Sequence, residues 1–219
     1  LHTVEVGGEL LNYAGLPFAG VELENLKNSQ PDIKTFLDED FSLRAVKRIM
    51  NEYEVLHFAT HAAFVNSKPE DSFILFGNGD TPNVLDIGSW NLSNVDLVVL
   101  SACDTGLDGF GNGAEILGMG YQFQLSGAGA VMASLWGVSD RGTQDLMTRF
   151  YDHLGQGKAK AKALQQAQID LINSSDAEIE DALRGGLAPA NSAATLPDEL
   201  KGLRHPYYWA PFILIGNGL

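Results

Sequence analysis

Cysteine is almost absent from this chain: Cys103 is the single one among 219 residues. No internal disulfide can form, and a zinc site built on several thiolates is excluded. Long apolar runs are missing as well. The longest, Val95 to Cys103, is interrupted by Asp96 and Ser101, and it falls well short of the roughly 20 residues that span a bilayer. Positive charge is scarce. Fourteen Lys plus Arg face 28 Asp plus Glu, a net charge of −14 with neutral histidines. Broad binding to nucleic acid or to an anionic membrane needs a basic surface, so neither is an expected partner. The first residue is Leu1 rather than methionine, and the sequence reads as a fragment of a larger protein. A lone cysteine leans the localisation toward the cytoplasm.

What is present is enough for a core. Hydrophobic residues make up 45% of the chain, and a chain of this length buries roughly 70% of its unfolded surface without staples. Residues 1–219 read as one domain, with no internal repeat. The 24 glycines punctuate short apolar segments rather than gathering in a linker. The opening Leu1–Leu16 stretch reads as strand-like or irregular. A short helix is expected over Val21–Asn28, and another after Ser42, a good N-cap, with Leu43, Val46, Ile49 and Met50 at helical spacing. Strands are expected over Tyr53–Thr60, Ser72–Phe76, Asp96–Ala102, Ala130–Trp136 and Phe212–Ile215. Leu97-Val98-Val99-Leu100 is apolar on both faces, as in the middle of a sheet covered on both sides. Helical patterns run over Ala114–Leu125, from Ser139 to Leu154, and over Lys158–Asn173. The lysines of that last helix, Lys158, Lys160 and Lys162, read as a solvated face. Residues 174–205 read as a mobile surface loop. Strands alternating with helices imply an α/β fold: a three-layer α/β/α sandwich around a mostly parallel sheet.

In such sheets reactive groups gather beyond the carboxyl ends of the strands. Two segments qualify. One strand runs into His61, and the buried strand runs into Cys103 and then glycines. A cysteine nucleophile needs a nearby histidine to hold it as thiolate and to protonate the leaving group. His61 lies one crossover unit upstream, so adjacent parallel strands can present both at one edge. From spacing alone, however, a buried structural thiol is the commoner reading of Cys103. One of His57 and His61, on the same strand face, reads as a filler of a polar gap in the core. Zinc is a poor fit to His57-x-x-x-His61, because that pair needs a helix and the glutamate of the metalloprotease motif is missing. Gly109–Gly113 lacks the lysine and spacing of a phosphate loop, so it reads as punctuation. Trp136, Tyr207, Tyr208 and Trp209 read as packing, with a substrate groove as the other use.

Four collinear blocks carry a more specific signal: His57-Phe-Ala-Thr-His61, Leu100-Ser-Ala-Cys-Asp-Thr-Gly106, Ala133-Ser-Leu-Trp-Gly-Val-Ser-Asp140 and His205-Pro-Tyr-Tyr-Trp-Ala-Pro-Phe212. Together they resemble the CHAT domain, a bacterial branch of the caspase–separase peptidases. The resemblance implies a caspase-like α/β/α fold and a thiol endopeptidase whose dyad is His61 and Cys103, with no metal or organic cofactor. It implies an oxyanion hole from the backbone N–H groups of Cys103 and Ala62, donors of a kind worth on the order of 10²–10³ in rate. It also implies a protein substrate cut after Arg or Lys, with Asp140 as the acidic floor of the pocket and Asp104 as the fallback. Arg141 is the feature that would instead favour an acidic residue. An upstream helical-repeat region, of tetratricopeptide type, is the implied regulator. The sequence departs from the family where glycine usually follows the histidine. Ala62-Ala63 stands there, which keeps the N–H but would pay for a left-handed backbone. The competing readings are a catalytically silent interaction module of the same fold and a flavodoxin-like small-ligand domain.

Overall fold

The computed structural model describes residues 2–6, 8–29, 32–63, 69–101, 114–138, 140–174 and 202–219. A hairpin opens the chain, β1 (His2–Val6) against β2 (Glu9–Tyr13), turning at Gly8 with φ 92°. Helix α1 (Pro17–Ser29) follows, longer than its apolar residues alone suggest. Ser42 caps α2 (Leu43–Ile49): its hydroxyl accepts from the Ala45 N–H at 3.2 Å. The main sheet then begins with β3 (Val55–Phe58), β6 (Leu97–Leu100), β7 (Ala130–Ser134) and β8 (Phe212–Gly216), side by side in that order. β3, β6 and β7 are parallel, and β8 is antiparallel to β7.

Between β3 and β6 sit a two-residue strand pair, β4 (Ala62–Ala63) with β5 (Phe73–Ile74), and the short helix α3 (Val84–Ile87). β5 is shorter than the apolar run Ser72–Phe76: the Leu75 amide still bonds to the His61 carbonyl, but the Phe76 amide turns to the Asp80 carbonyl. Helix α4 (Ala114–Leu125) returns the chain to β7. Helices α5 (Asp140–Gly155), α6 (Lys160–Asn173) and α7 (Pro206–Trp209) lead to β8.

The period of two along the strands divides the core. Leu56, Phe58, Val98, Leu100, Val131 and Ala133 face one layer, with Val46, Ile87, Met119 and Phe123 of α2, α3 and α4. Val55, Leu97, Val99, Ala130 and Met132 face the other, with Leu26 of α1, Leu146, Met147 and Phe150 of α5, and Ala163, Ala167 and Leu171 of α6. The three-layer α/β/α architecture is the expected one, and β6 is buried throughout as its unbroken apolar sequence requires.

The lysines of α6 depart from expectation. Lys160 is not solvated: it is only 3% exposed, and its ammonium lies 2.7 Å from both carboxylate oxygens of Asp96. Its side chain is packed, and its ammonium is met by the carboxylate of Asp96, which is itself 56% exposed. Lys158 is half-buried, bonding His153 and Gln156, and only Lys162 stands on an exposed face. Most of the expected mobile loop, residues 175–201, lies outside the described residues; at its borders Ser174 and Leu203 are buried.

Candidate active site at the carboxyl ends of the central strands

β3 and β6 are hydrogen-bonded neighbours with Phe58 opposite Leu100, and the Ser101 N–H continues the ladder by donating to the Phe58 carbonyl at 3.1 Å. The register therefore aligns the ends of the two strands. His61 and Cys103 each stand three residues beyond that matched pair, as 61 − 58 and 103 − 100 show. Two parallel neighbours leave the sheet at one edge, so β3 runs out toward His61 at the same rim where β6 ends at Ser101. Cys103 itself, with Asp104 and the 106–113 glycine loop, lies outside the described residues.

His61 is half-buried and held on one side. Its Nε2 is 2.7 Å from the Ala14 carbonyl oxygen, and its ring lies 5.1 Å from that of Tyr13. A carbonyl only accepts, so Nε2 carries the proton, and in the neutral ring Nδ1 keeps the basic lone pair. The segment between β2 and α1 thus fixes the tautomer and aims the base. This partner is a backbone atom, 47 positions away in sequence, and no side-chain motif announces it.

Ala62 follows directly in β4 and is 2% exposed. Among the described residues the non-glycine with positive φ is Asp38, at 48°, so Ala62 carries no left-handed strain. The Leu75 N–H donates to the His61 carbonyl at 2.9 Å. Antiparallel ladders alternate, so the next residue, Ala62, turns its N–H away from β5. Nearby, the Thr60 hydroxyl donates to the Leu75 carbonyl and ties the same turn down.

Asp140 is the first residue of α5, directly before Arg141 on the same turn. The four candidate groove aromatics are packing. Tyr208 is buried, the Trp136 Nε1–H donates to the Tyr207 carbonyl at 3.1 Å, and the Tyr207 hydroxyl donates to the Gly137 carbonyl at 2.7 Å. These bonds bind α7 to the segment leaving β7.

His57 is the histidine that fills the core, and it does so in company. Its Nδ1 is 2.9 Å from the Tyr151 hydroxyl on α5, and its Nε2 is 3.1 Å from Glu22 Oε1 on α1, although off the best hydrogen-bonding angle. Ser101 Oγ lies 3.4 Å from Glu22 Oε2. Burial, with the Glu22 carboxylate beside it, pushes the Tyr151 phenol far above its ordinary value. Glu22 and Tyr151 were invisible as site candidates. Each sits on a helix whose sequence reads as ordinary amphipathic packing.

A cavity of about 530 Å³ runs along the free edge of β3, walled by Leu23, Ile33, Phe36, Val46 and Met50. His61 and Ala62 do not line it. No helix of the described residues is long and apolar enough to cross a membrane. The family model for the CHAT domain matches residues 6–217, nearly the whole chain. No curated protein matches it.

Proposed function

The chain belongs to the CHAT domain family, a caspase-like and peptidase-related family, and from that premise we propose that it is a cysteine endopeptidase with His61 and Cys103 as its dyad. The observation that supports the reading is the β3–β6 register, which ends the strand before His61 and the strand before Cys103 at one edge of the sheet, with His61 Nε2 tied to the Ala14 carbonyl.

The mechanism follows from those roles. His61 Nδ1 takes the Cys103 proton, and the thiolate sulfur bonds to the substrate carbonyl carbon. The resulting oxyanion accepts from the Cys103 and Ala62 N–H groups. As the carbon–nitrogen bond breaks, the imidazolium returns its proton to the leaving amine, leaving a thioester. Water, deprotonated by His61, then attacks that carbon, and the carbon–sulfur bond breaks to release acid and thiol. Asp140, with Asp104 as the fallback, supplies the acidic floor that would pair with a substrate Arg or Lys. The substrate is a protein, and an upstream helical-repeat region is its regulator. The catalytically silent reading drew on alanine in place of glycine; an extended residue 62 needs no glycine, so that feature no longer favours it.

The test is cleavage of a peptide library, sequencing the residue before each cut, by the wild type, Cys103→Ala and Asp140→Asn. Cuts after Arg or Lys that vanish in Cys103→Ala and lose their basic preference in Asp140→Asn support the reading. Cuts that persist in Cys103→Ala refute the dyad, and no cleavage by any of the proteins returns the choice to the silent module.

A further inference from the structure

The buried polar group beneath the proposed dyad has no role in the steps above. Glu22 and His57 side chains are 5% and 8% exposed, and they lie on the face of the sheet that α1 and α5 cover, with His57 and Tyr151 also lining the cavity beside β3. Burying an acid and a histidine is costly unless each polar atom is met. Two of the contacts here are hydrogen bonds, while His57 Nε2 and Glu22 Oε1 face each other at 3.1 Å without hydrogen-bonding geometry. The Tyr151 phenol, held protonated, donates to His57 Nδ1; the His57 Nε2–H faces Glu22 Oε1; the Ser101 hydroxyl reaches Glu22 Oε2. One carboxylate on α1 thereby joins β3 and the residue that ends β6, and through His57 it joins α5.

Its place in the register is the reason it matters. His57 lies on β3, four residues before His61 in the chain, and Ser101 follows β6 directly, two residues before Cys103 in sequence. Any relative slip or splay of the two strand ends has to break this group. We infer that Glu22, with His57, Tyr151 and Ser101, is a positioning network that holds the ends of β3 and β6 in register, and with them the strand end that leads to His61. The inference rests on the peptidase reading for its catalytic meaning, but the network itself is independent of it. These are positioning residues: none reaches the rim where a substrate carbonyl would lie.

Glu22→Gln, His57→Gln and Tyr151→Phe keep side-chain volume while removing the charge, the ring or the phenol. Leu171→Val, in the same core layer but outside the network, is the control for lost stability. Two quantities are read for each folded variant: kcat and KM on a cleaved peptide, and the rate at which iodoacetamide alkylates Cys103, which as the single cysteine reports alone. The network variants are expected to lose about tenfold to a hundredfold in kcat, the scale of a small misplacement, with KM within about twofold. Their alkylation rate should shift by about fivefold or more, whereas Leu171→Val loses Tm alone. If Glu22→Gln and His57→Gln match Leu171→Val in kcat and alkylation at equal loss of Tm, the network is only a structural clamp and the inference falls. If the wild type cuts no peptide, the peptidase reading fails by itself, and the alkylation rates still decide the network.

Discussion

The Nε2 atom of His61 lies 2.7 Å from the carbonyl oxygen of Ala14, a residue of the segment that links the opening hairpin to α1. That single contact fixes which nitrogen is the base. It requires the Nε2–H tautomer, leaving Nδ1 free to receive a proton. The ¹⁵N–¹H correlation pattern of His61 near neutral pH should report a protonated Nε2, and a protonated Nδ1 with bare Nε2 would contradict the contact. His61→Gln should lower kcat by on the order of 10²–10⁴, the usual contribution of a general base.

Ala62 offers a cleaner test of the departure from the family pattern. Because it sits in β4 without positive φ, glycine has nothing to relieve there. Ala62→Gly should leave kcat within about twofold while costing about 0.5–1 kcal/mol of stability, the usual penalty for glycine within a strand. A large gain in kcat would mean that the backbone at 62 is strained during turnover.

Gly142, on the first turns of α5, is a packing requirement. A Cβ built there meets Tyr208 Cδ1 at 2.6 Å, and Tyr208 is buried. Alanine favours a helix by up to about 1 kcal/mol, but overpacking costs about 1–3 kcal/mol. Gly142→Ala should therefore be net destabilising by about 1–2 kcal/mol in urea denaturation. A more stable variant would show that α7 can move aside freely.

The α5–α6 contact carries an acid-sensitive pair. Desolvation alone would raise the Asp170 carboxyl, but hydrogen bonds from Gln166 and His153 and the positive charges of His153 and Arg149 outweigh it and hold it below the usual carboxylate range. A depressed folded value means that the unfolded chain takes up the proton first. The stabilisation is thus complete above about pH 4, the unfolded value, and fades as pH falls through the folded one. The Asp170 side chain is 31% exposed, and solvent screening there keeps the effect below about 1 kcal/mol. The stability gap between wild type and Asp170→Asn should narrow as pH falls from about 5 to about 2. A gap constant over that range would contradict it.

The layered fold was legible because its signals are local. Leu97–Leu100 can be buried on both faces only inside a sheet. Ser42 capped the helix it preceded, and the apolar spacing of α5 and α6 named the faces that meet β6 and β7. Lys160 was misread for an equally local reason: helical spacing places it among lysines, whereas Asp96, 64 positions earlier, takes its charge. Residue order alone brought His61 and Cys103 to attention.

What the sequence by itself determined, then, was the alternation of strands and helices, the two apolar faces of the sheet and the residue types able to act at its edge. Each of these follows from periodicity or side-chain chemistry within a few residues. The tertiary structure alone decided the tautomer of His61, the extended backbone of Ala62, and the meeting of Glu22, His57, Tyr151 and Ser101. Those depend on a carbonyl without a side-chain signature and on contacts between helices and strands 35 to 94 positions apart. Such partners are selected by how elements pack, and packing has no period in the chain.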